Sequence, residues 1–300
     1  MSHTDHHHHH SHSKYLLFTI LLNMVITVAQ VSGGLWSGSL ALLSDALHNF
    51  SDVLSLVISY VAEKLAKRKS TRTKTFGYKR AGILAAFINA ATLLIVALIL
   101  IKEAIERFLE PQFIDSTWVI WLSVVAIVGN GLSVFLLHDG ADKNLNMKSA
   151  YLHLLTDMLA SVAVLVGGLL MKYLGWFWVD PVLTLAIALY LIYVGYQLLV
   201  SATKILMLFS PEHIDINQLV KKITALDGVA NIHHIHLWPL NEDELHLEAH
   251  IEMDIDCPIS QLNALHAKIS NLLLVDYGIN HVTLQPEYGR EGDKNIIVQD

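Results

Sequence analysis

Apolar residues dominate the chain from Tyr15 to about Met207, in six runs separated by short polar breaks. The runs are Tyr15–Trp36, Leu40–Ala62, Ala81–Ile101, Thr117–Leu137, Ala150–Met171 and Val179–Val200. Each approaches the roughly 20 residues a helix needs to cross a bilayer. Helices are expected, because a lone strand cannot satisfy its backbone in lipid. The segment between the second and third runs carries Lys64, Lys67, Arg68, Lys69, Arg72, Lys74, Lys79 and Arg80, whereas Ser32–Ser39, between the first two, carries no basic residue. The positive-inside tendency places the basic segment in the cytoplasm. An even number of spans then predicts that both termini are cytoplasmic. Trp118, Trp121, Trp176 and Trp178 fall near span ends, where amphipathic rings favour the interface.

Beyond Ser210 the pattern changes. Ile216, Leu219, Val220, Ile223 and Leu226 recur at helical spacing, and Asp227-Gly228 ends that helix. Val229–Leu237 reads as a strand. Leu245–Met253 alternates strictly, with Leu245, Leu247, Ala249, Ile251 and Met253 on one face and His246, Glu248, His250 and Glu252 on the other. Asn241–Glu244 joins the two as a hairpin. Pro258 opens a second helix that runs to about Val275, Gly278 stops it, and Asn280–Gln285 makes a third strand. The fold class predicted is an α-helical membrane protein with six transmembrane helices, followed by a small α+β domain of order αββαβ. Such a domain places helices on one face of a sheet. The boundaries drawn are a His-rich tail over 1–13, expected to be disordered, a transmembrane domain over 14–208, a cytoplasmic domain over 209–290, and a C-terminal tail over 291–300. A core of about eighty residues is marginal alone, so dimerisation would support it.

Composition sharpens this picture in three ways. The chain is 53% hydrophobic over 300 residues, too apolar for a soluble protein of that size. The net charge of −7 is mild and points to no nucleic-acid partner. The single Cys257 excludes an internal disulfide. Seven of the 18 His fall within the first twelve residues, as an expression tag would place them or as a native tail that collects metal loosely. No small-residue cleavage site follows, so this region does not read as a signal peptide.

The chemistry lies in two short phrases, His48-Asn-Phe-Ser-Asp52 and His153-Leu-Leu-Thr-Asp157. Residues i and i+4 share one helical face. Two such helices facing each other would bring two imidazoles and two carboxylates to one point, a tetrahedral N/O set that suits Zn²⁺. The two carboxylates would cancel the ion's charge, and the imidazoles would disfavour Mg²⁺ and Ca²⁺. Asp45, one turn earlier on the same face, would support the ligands or relay the ion inward. Polar residues that merely bond neighbouring helices are the plain alternative; Asn23, Gln30, Asn89 and Asn130 are read that way. Three ionisable groups on one face, matched by a second pair three spans later, argue for function, because charge in a bilayer is costly. Binding requires neutral His and ionised Asp, so protons and metal compete. The residues thus predict a membrane carrier for a divalent metal, with protons as counter-substrate and no catalytic cofactor. Gly129-x-Gly131 and Gly167-Gly168 would permit close helix approach.

These phrases carry a family resemblance. Ser39-Leu-Ala-Leu-Leu-Ser-Asp-Ala-Leu-His-x-x-x-Asp52, Phe76-Gly-Tyr-Lys-Arg-Ala81, Asp180-Pro181 and His233-His-Ile-His-Leu-Trp238 resemble motifs of the cation diffusion facilitator family, over about Lys14–Glu287. The His-x-x-x-Asp pairs are similar to those of its zinc- and cadmium-exporting branch. The resemblance implies a homodimeric, proton-coupled exporter in a bacterial inner membrane, with a ferredoxin-like cytoplasmic domain. It also implies regulatory metal in that domain, where His233 and His250 match ligand positions and His234, His266, His281 and Glu287 are further candidates. Solvated strand histidines are the alternative. By simple alternation His233 should share a face with Ile235 and Leu237, and His234 and His236 should lie on the other. Some relatives bind metal in the loop after the second span; Arg68–Lys79 holds no Asp or His, so that site is expected to be absent.

Other functions fit less well. An intramembrane metalloenzyme would need an open coordination position and a general base beside the His pair, and no His-Glu-x-x-His occurs. A nucleotide-driven pump would need a Gly-x-x-x-x-Gly-Lys-Ser/Thr loop, which is also missing. A passive channel or a membrane-bound sensor would differ in conductance or in moving no metal.

Overall fold

A computed structural model describes the backbone of residues 9–141, 145–241 and 243–298; of these, the side chains of 9–20, 55–56, 59–60, 63, 136–141, 145–150 and 153 are not described. Six long helices come first: α1 His9–Ser37, α2 Leu40–Ala66, α3 Ala81–Leu109, α4 Ser116–Ala141, α5 Leu145–Leu174 and α6 Val179–Leu206. Among the described residues, α3, α6, Ser116–Phe135 of α4 and Leu154–Leu174 of α5 are long and apolar enough to cross a membrane, and α1 adds the shorter apolar stretch Leu21–Ser37. Helix α1 begins at His9, inside the stretch expected to be an unstructured tail, because the helix of the first span propagates backwards. Residues 1–8 of that expected tail lie outside the described residues.

The chain divides into two compact units, one made of residues up to 60 with 88–199, the other of 61–87 with 200–300. In the first, α4 packs against α5 and α1. Glycine sets the α1–α4 distance. A Cβ on Gly129 would come within 2.1 Å of Ile26 Cδ1, and one on Gly33 within 1.7 Å of Leu122 Cδ1. Ala41 and Leu42 of α2 bury against Val119, Val164 and Met171, while Leu93, Ala97 and Leu100 of α3 bury against Ala188 and Leu191 of α6.

The first turn of α2 is capped from another helix. Asp180, fully buried in the first turn of α6, accepts from the amides of Leu40 (2.9 Å) and Ala41 (3.3 Å) and from the Ser39 hydroxyl. Ser39 Oγ in turn accepts from the amide of Leu42 at 3.1 Å. The leading amides of a helix have no intrahelical partner. Here a carboxylate and a hydroxyl take three of them. The preceding turn is closed at Gly38, whose φ of +74° suits a residue without Cβ, and the Gly38 carbonyl accepts from Arg107.

The second unit contains α7 Ile216–Thr224, β1 Val229–Pro239, β2 Leu245–Met253, α8 Ile259–Tyr277 and β3 Ile279–Glu287. Asp215 caps α7 by accepting from the amides of Asn217 and Gln218, and Gly278, at φ +70°, ends α8. The sheet has the order β1-β2-β3, antiparallel between β1 and β2 and parallel between β2 and β3. Leu219 and Ile223 of α7 and Leu265, Ile269 and Leu273 of α8 are buried with Ile232, Leu247, Ala249 and Ile251 of the sheet. The polar strand positions therefore line the other face of the sheet. In the same unit Phe76 lies edge-on to His246 at 5.8 Å between ring centroids, and Lys79 Nζ lies 2.6 Å from Glu244 Oε2.

Simple alternation fails on β1. His233 pairs with His250, His236 with Glu248 and Leu237 with Leu247, so His234 and Ile235 together oppose one residue of β2. His234 makes this bulge with φ +49°. The extra residue inverts the parity. His233 and His236 both fall on the face away from α7 and α8, opposite Ile235 and Leu237, rather than His233 sharing their face as alternation predicts.

Candidate metal centre

Helix α2 presents Asp45, His48 and Asp52 on one face, and α5 presents Asp157 toward it. His48 Nδ1 lies 3.6 Å from Asp52 Oδ2, and His48 Nε2 lies 3.6 Å from Asp157 Oδ1. The imidazole therefore spans two carboxylates, one nitrogen to each. One ligand atom from each of the three residues falls within 4.8 Å of the others. Bonds of about 2.0–2.1 Å to a tetrahedral zinc ion would bring such atoms within about 3.4 Å. Asp157 has no solvent exposure and His48 is 7% exposed. His153 is in α5, four residues before Asp157, but its side chain lies outside the described residues.

Asp45 takes a different part. Its Oδ2 accepts from Gln30 Nε2 at 2.7 Å and from Ser161 Oγ at 3.0 Å, and Gln30 Oε1 accepts from Asn49 Nδ2 at 3.1 Å. This network ties α1, α2 and α5 together one turn from His48. Gln30, expected to bond a neighbouring helix, does so within this network. Asp45, His48, Asp157 and Tyr190 line a cavity of about 340 Å³, and the Tyr190 ring stands edge-on to His48 at 6.1 Å. Tyr190 carries no motif, so the sequence offers no signal for it.

A second cluster lies on the face of the sheet away from α7 and α8. The bulge at His234 places His233 opposite His250, and Glu287 ends β3 beside them. Glu287 Oε2 lies 3.3 Å from His233 Nε2, and Glu287 Oε1 lies 3.0 Å from His250 Nδ1. Burial pushes His233 below the usual imidazole range. Burial also raises the carboxyl of Glu287, but His250, Arg290 and His233 outweigh that and hold it below the usual carboxylate range. The other candidates fall elsewhere. His234 stacks near His250, with 4.8 Å between ring centroids, outside the three-residue set. His281 pairs with His246, 4.3 Å between centroids, while Trp238 stacks on the far side of His246. His266 is on α8, 3.4 Å from Ser270.

The bulge yields a test. A left-handed backbone costs a side-chain-bearing residue about 1–2 kcal/mol, most for branched residues and least for glycine. His234→Gly should therefore keep His233 facing His250. His234→Val should weaken zinc binding at this cluster about 10-fold, the factor that 1.4 kcal/mol represents. Titration calorimetry of the two variants should show that contrast; equal affinities would remove the bulge from the argument.

Relatives place this geometry in a family. Residues 16–207 match the cation efflux transmembrane domain, and residues 211–288 match the cytoplasmic domain of cation efflux proteins. The chain is 36% identical over 294 residues to a "cadmium, cobalt and zinc/H(+)-K(+) antiporter" of Bacillus subtilis, covering 97% of this chain and 94% of the relative. It is 35% identical to the "zinc transporter ZitB" of Pectobacterium atrosepticum, covering 98% and 91% of the two chains. Against the protein so named in Escherichia coli it is 33% identical, covering 96% and 91%. With both domain families matched in order and relatives aligned nearly end to end, the chain belongs to the cation efflux family of membrane transporters.

Proposed function

We propose that this protein is a proton-coupled antiporter that exports Zn²⁺ from the cytoplasm by alternating access, with Cd²⁺ and other divalent transition metals as further cargo. The observation that carries the reading is His48 lying between Asp52 and Asp157 in the membrane domain. A protonated imidazole donates from both nitrogens, one to each carboxylate. A zinc ion instead takes one neutral nitrogen and the carboxylates. The same three side chains thus hold a proton or a metal, and each displaces the other. His153, four residues before Asp157, is proposed as the fourth ligand. Asp45, held by Gln30 and Ser161, is proposed to fix the α2 face that carries the ligands rather than to bind the ion itself. Relatives named for zinc and for antiport with protons support the cargo and the counter-ion.

His233, His250 and Glu287 are proposed as a regulatory zinc site in a cytoplasmic domain that dimerises with a second copy. We also propose that the chain lies in a bacterial inner membrane with both termini in the cytoplasm; the eight basic residues between Lys64 and Arg80 support that orientation.

Purified protein in proteoliposomes tests the coupling. Imidazole titrates near pH ~6.5. Zinc uptake into vesicles should therefore quicken when the vesicle interior is made acidic, because lumenal protons release the metal that outside-facing sites load. It should slow when the outside is acidified below ~6, because protons then occupy the loading site. Uptake indifferent to pH on both sides would refute proton exchange.

A further inference from the structure

The carboxylate of Glu287 is already engaged. Its Oε1 accepts from Arg290 Nη1 at 2.9 Å and from Gln285 Nε2 at 3.3 Å, besides lying 3.0 Å from His250 Nδ1. Arg290 belongs to a stretch that leaves β3 and returns across the sheet. Lys294 Nζ reaches Glu252 Oε1 of β2 at 2.8 Å. The next two carbonyls then accept from the edge of β1: Asn295 from the amide of His234 at 3.1 Å, and Ile296 from the amide of Ile235 at 2.8 Å. Ile296 packs against the core of the domain. Residues 288–297 are therefore a strap running from β3 past β2 to β1. Its two cations flank the His233–His250–Glu287 cluster, and its far end is bonded to the bulge that orients His233.

We propose that this strap is a metal-sensitive latch: a divalent ion entering among His233, His250 and Glu287 displaces Arg290 and loosens residues 290–297 from the edge of β1. The inference rests on the regulatory zinc site proposed above. A zinc ion between the two imidazoles takes a Glu287 oxygen and the His250 nitrogen that now faces Glu287 Oε1, and so competes with Arg290 for the charge of that carboxylate. It also brings two positive charges beside a guanidinium and an ammonium. The Arg290 side chain is 62% exposed, so it can leave for water with little reorganisation. Lys294, held by Glu252 at 2.8 Å, also faces the incoming charge. Once both cations are repelled, the strap loses two of its anchors and keeps the two backbone bonds and the packing of Ile296. Release would expose the amides of His234 and Ile235 on an edge strand, and the cavity of about 300 Å³ beside Ile235, Trp238 and Ile297 would open further. Coupling is reciprocal, so whatever the strap gains from Arg290 the metal must overcome.

Hydrogen exchange of the full-length protein in lipid nanodiscs, followed over 229–239 and 288–298 during a zinc titration, tests the latch at its own location. Zinc should speed exchange of the His234 and Ile235 amides in the wild type. Arg290→Gln, and separately truncation after Gly289, should speed their exchange without metal. Both changes should lower the zinc concentration at which His250 is occupied by on the order of 10-fold, read from the exchange of β2. If zinc slows exchange at His234 and Ile235, or if both variants leave that zinc midpoint unmoved, the latch is wrong. Equal zinc stoichiometry in the wild type and in His250→Ala would instead remove the cytoplasmic site, and the latch with it.

Discussion

Replacing Asp157 with alanine or asparagine is expected to abolish zinc flux, by at least about 100-fold, since even residues that only support metal ligands change affinity by about 10–100-fold. Asp157 is the only acidic residue of α5, is fully buried, and lies 3.6 Å from His48 Nε2. Without it, the ion would keep one carboxylate from Asp52 and retain a net positive charge in a site walled by Leu159, Ala160 and Ile187. An uncompensated charge in such surroundings is costly. The asparagine variant separates charge from shape, because it preserves volume and one acceptor oxygen. Stopped-flow uptake into proteoliposomes, with an encapsulated zinc indicator, is the measurement, and size-exclusion profiles establish that the variants are folded. Flux above roughly a third of the wild-type rate in Asp157→Asn, against the 10–100-fold scale expected, would take Asp157 out of the ligand set. The corresponding change at Asp52 should be nearly as severe, though Asp52 is less buried, with 27% of its side chain exposed.

The membrane cluster proposed as the transport site is legible in the sequence because helical periodicity translates spacing into facing. His48 and Asp52 need only a regular helix to share a face, and no irregularity intervenes in α2. The cytoplasmic cluster is legible in its residue types but not in its geometry. Alternation along β1 assigns His233 to the core face, and only the left-handed backbone at His234 reverses that assignment. Histidine is not the residue a positive φ announces, so the bulge leaves no signature. The strap is hidden for another reason. Its anchoring bonds join backbone carbonyls of Asn295 and Ile296 to backbone amides, and any sequence could supply them. A boundary drawn at 290 from composition therefore splits a continuous piece of the domain. Helix α1 starting at His9 shows the converse, since a histidine run reads as tail while the helix behind it simply continues. Gly129 and Gly167 are signals that do carry through: a Cβ on Gly167 would meet Leu183 Cδ1 at 2.5 Å, the close α5–α6 approach that the Gly167-Gly168 pair suggests.

The largest effect on stability is expected at Asp180, far from either metal cluster along the chain. Its carboxylate takes the amides of Leu40 and Ala41 and the Ser39 hydroxyl, all buried. Asp180→Ala leaves these donors without an acceptor, at about 1–3 kcal/mol for each group stranded, so a loss of about 3 kcal/mol is a conservative expectation. The favourable placement of a negative charge at a helix N-terminus is lost as well. Asp180→Asn should be nearly as harmful, because its amide group would turn an N–H toward donors that need an oxygen. Ser39→Ala should cost less, since it frees mainly the amide of Leu42. Thermal unfolding in detergent, followed by the loss of the monodisperse peak, should rank the variants wild type, Ser39→Ala, then Asp180→Asn and Asp180→Ala. The last should fall by on the order of 10 °C. The consequence reaches the proposed transport site because α2 runs without a break from that cap to His48 and Asp52. A first turn that frays lets the helix shift along its axis, and a shift of one residue moves a side chain about 1.5 Å along the axis and 100° around it. Zinc affinity of Asp180→Ala should therefore decline even at temperatures where the protein remains folded. A variant that melted early yet bound zinc as the wild type does would show that the cap holds the fold without setting the ligands.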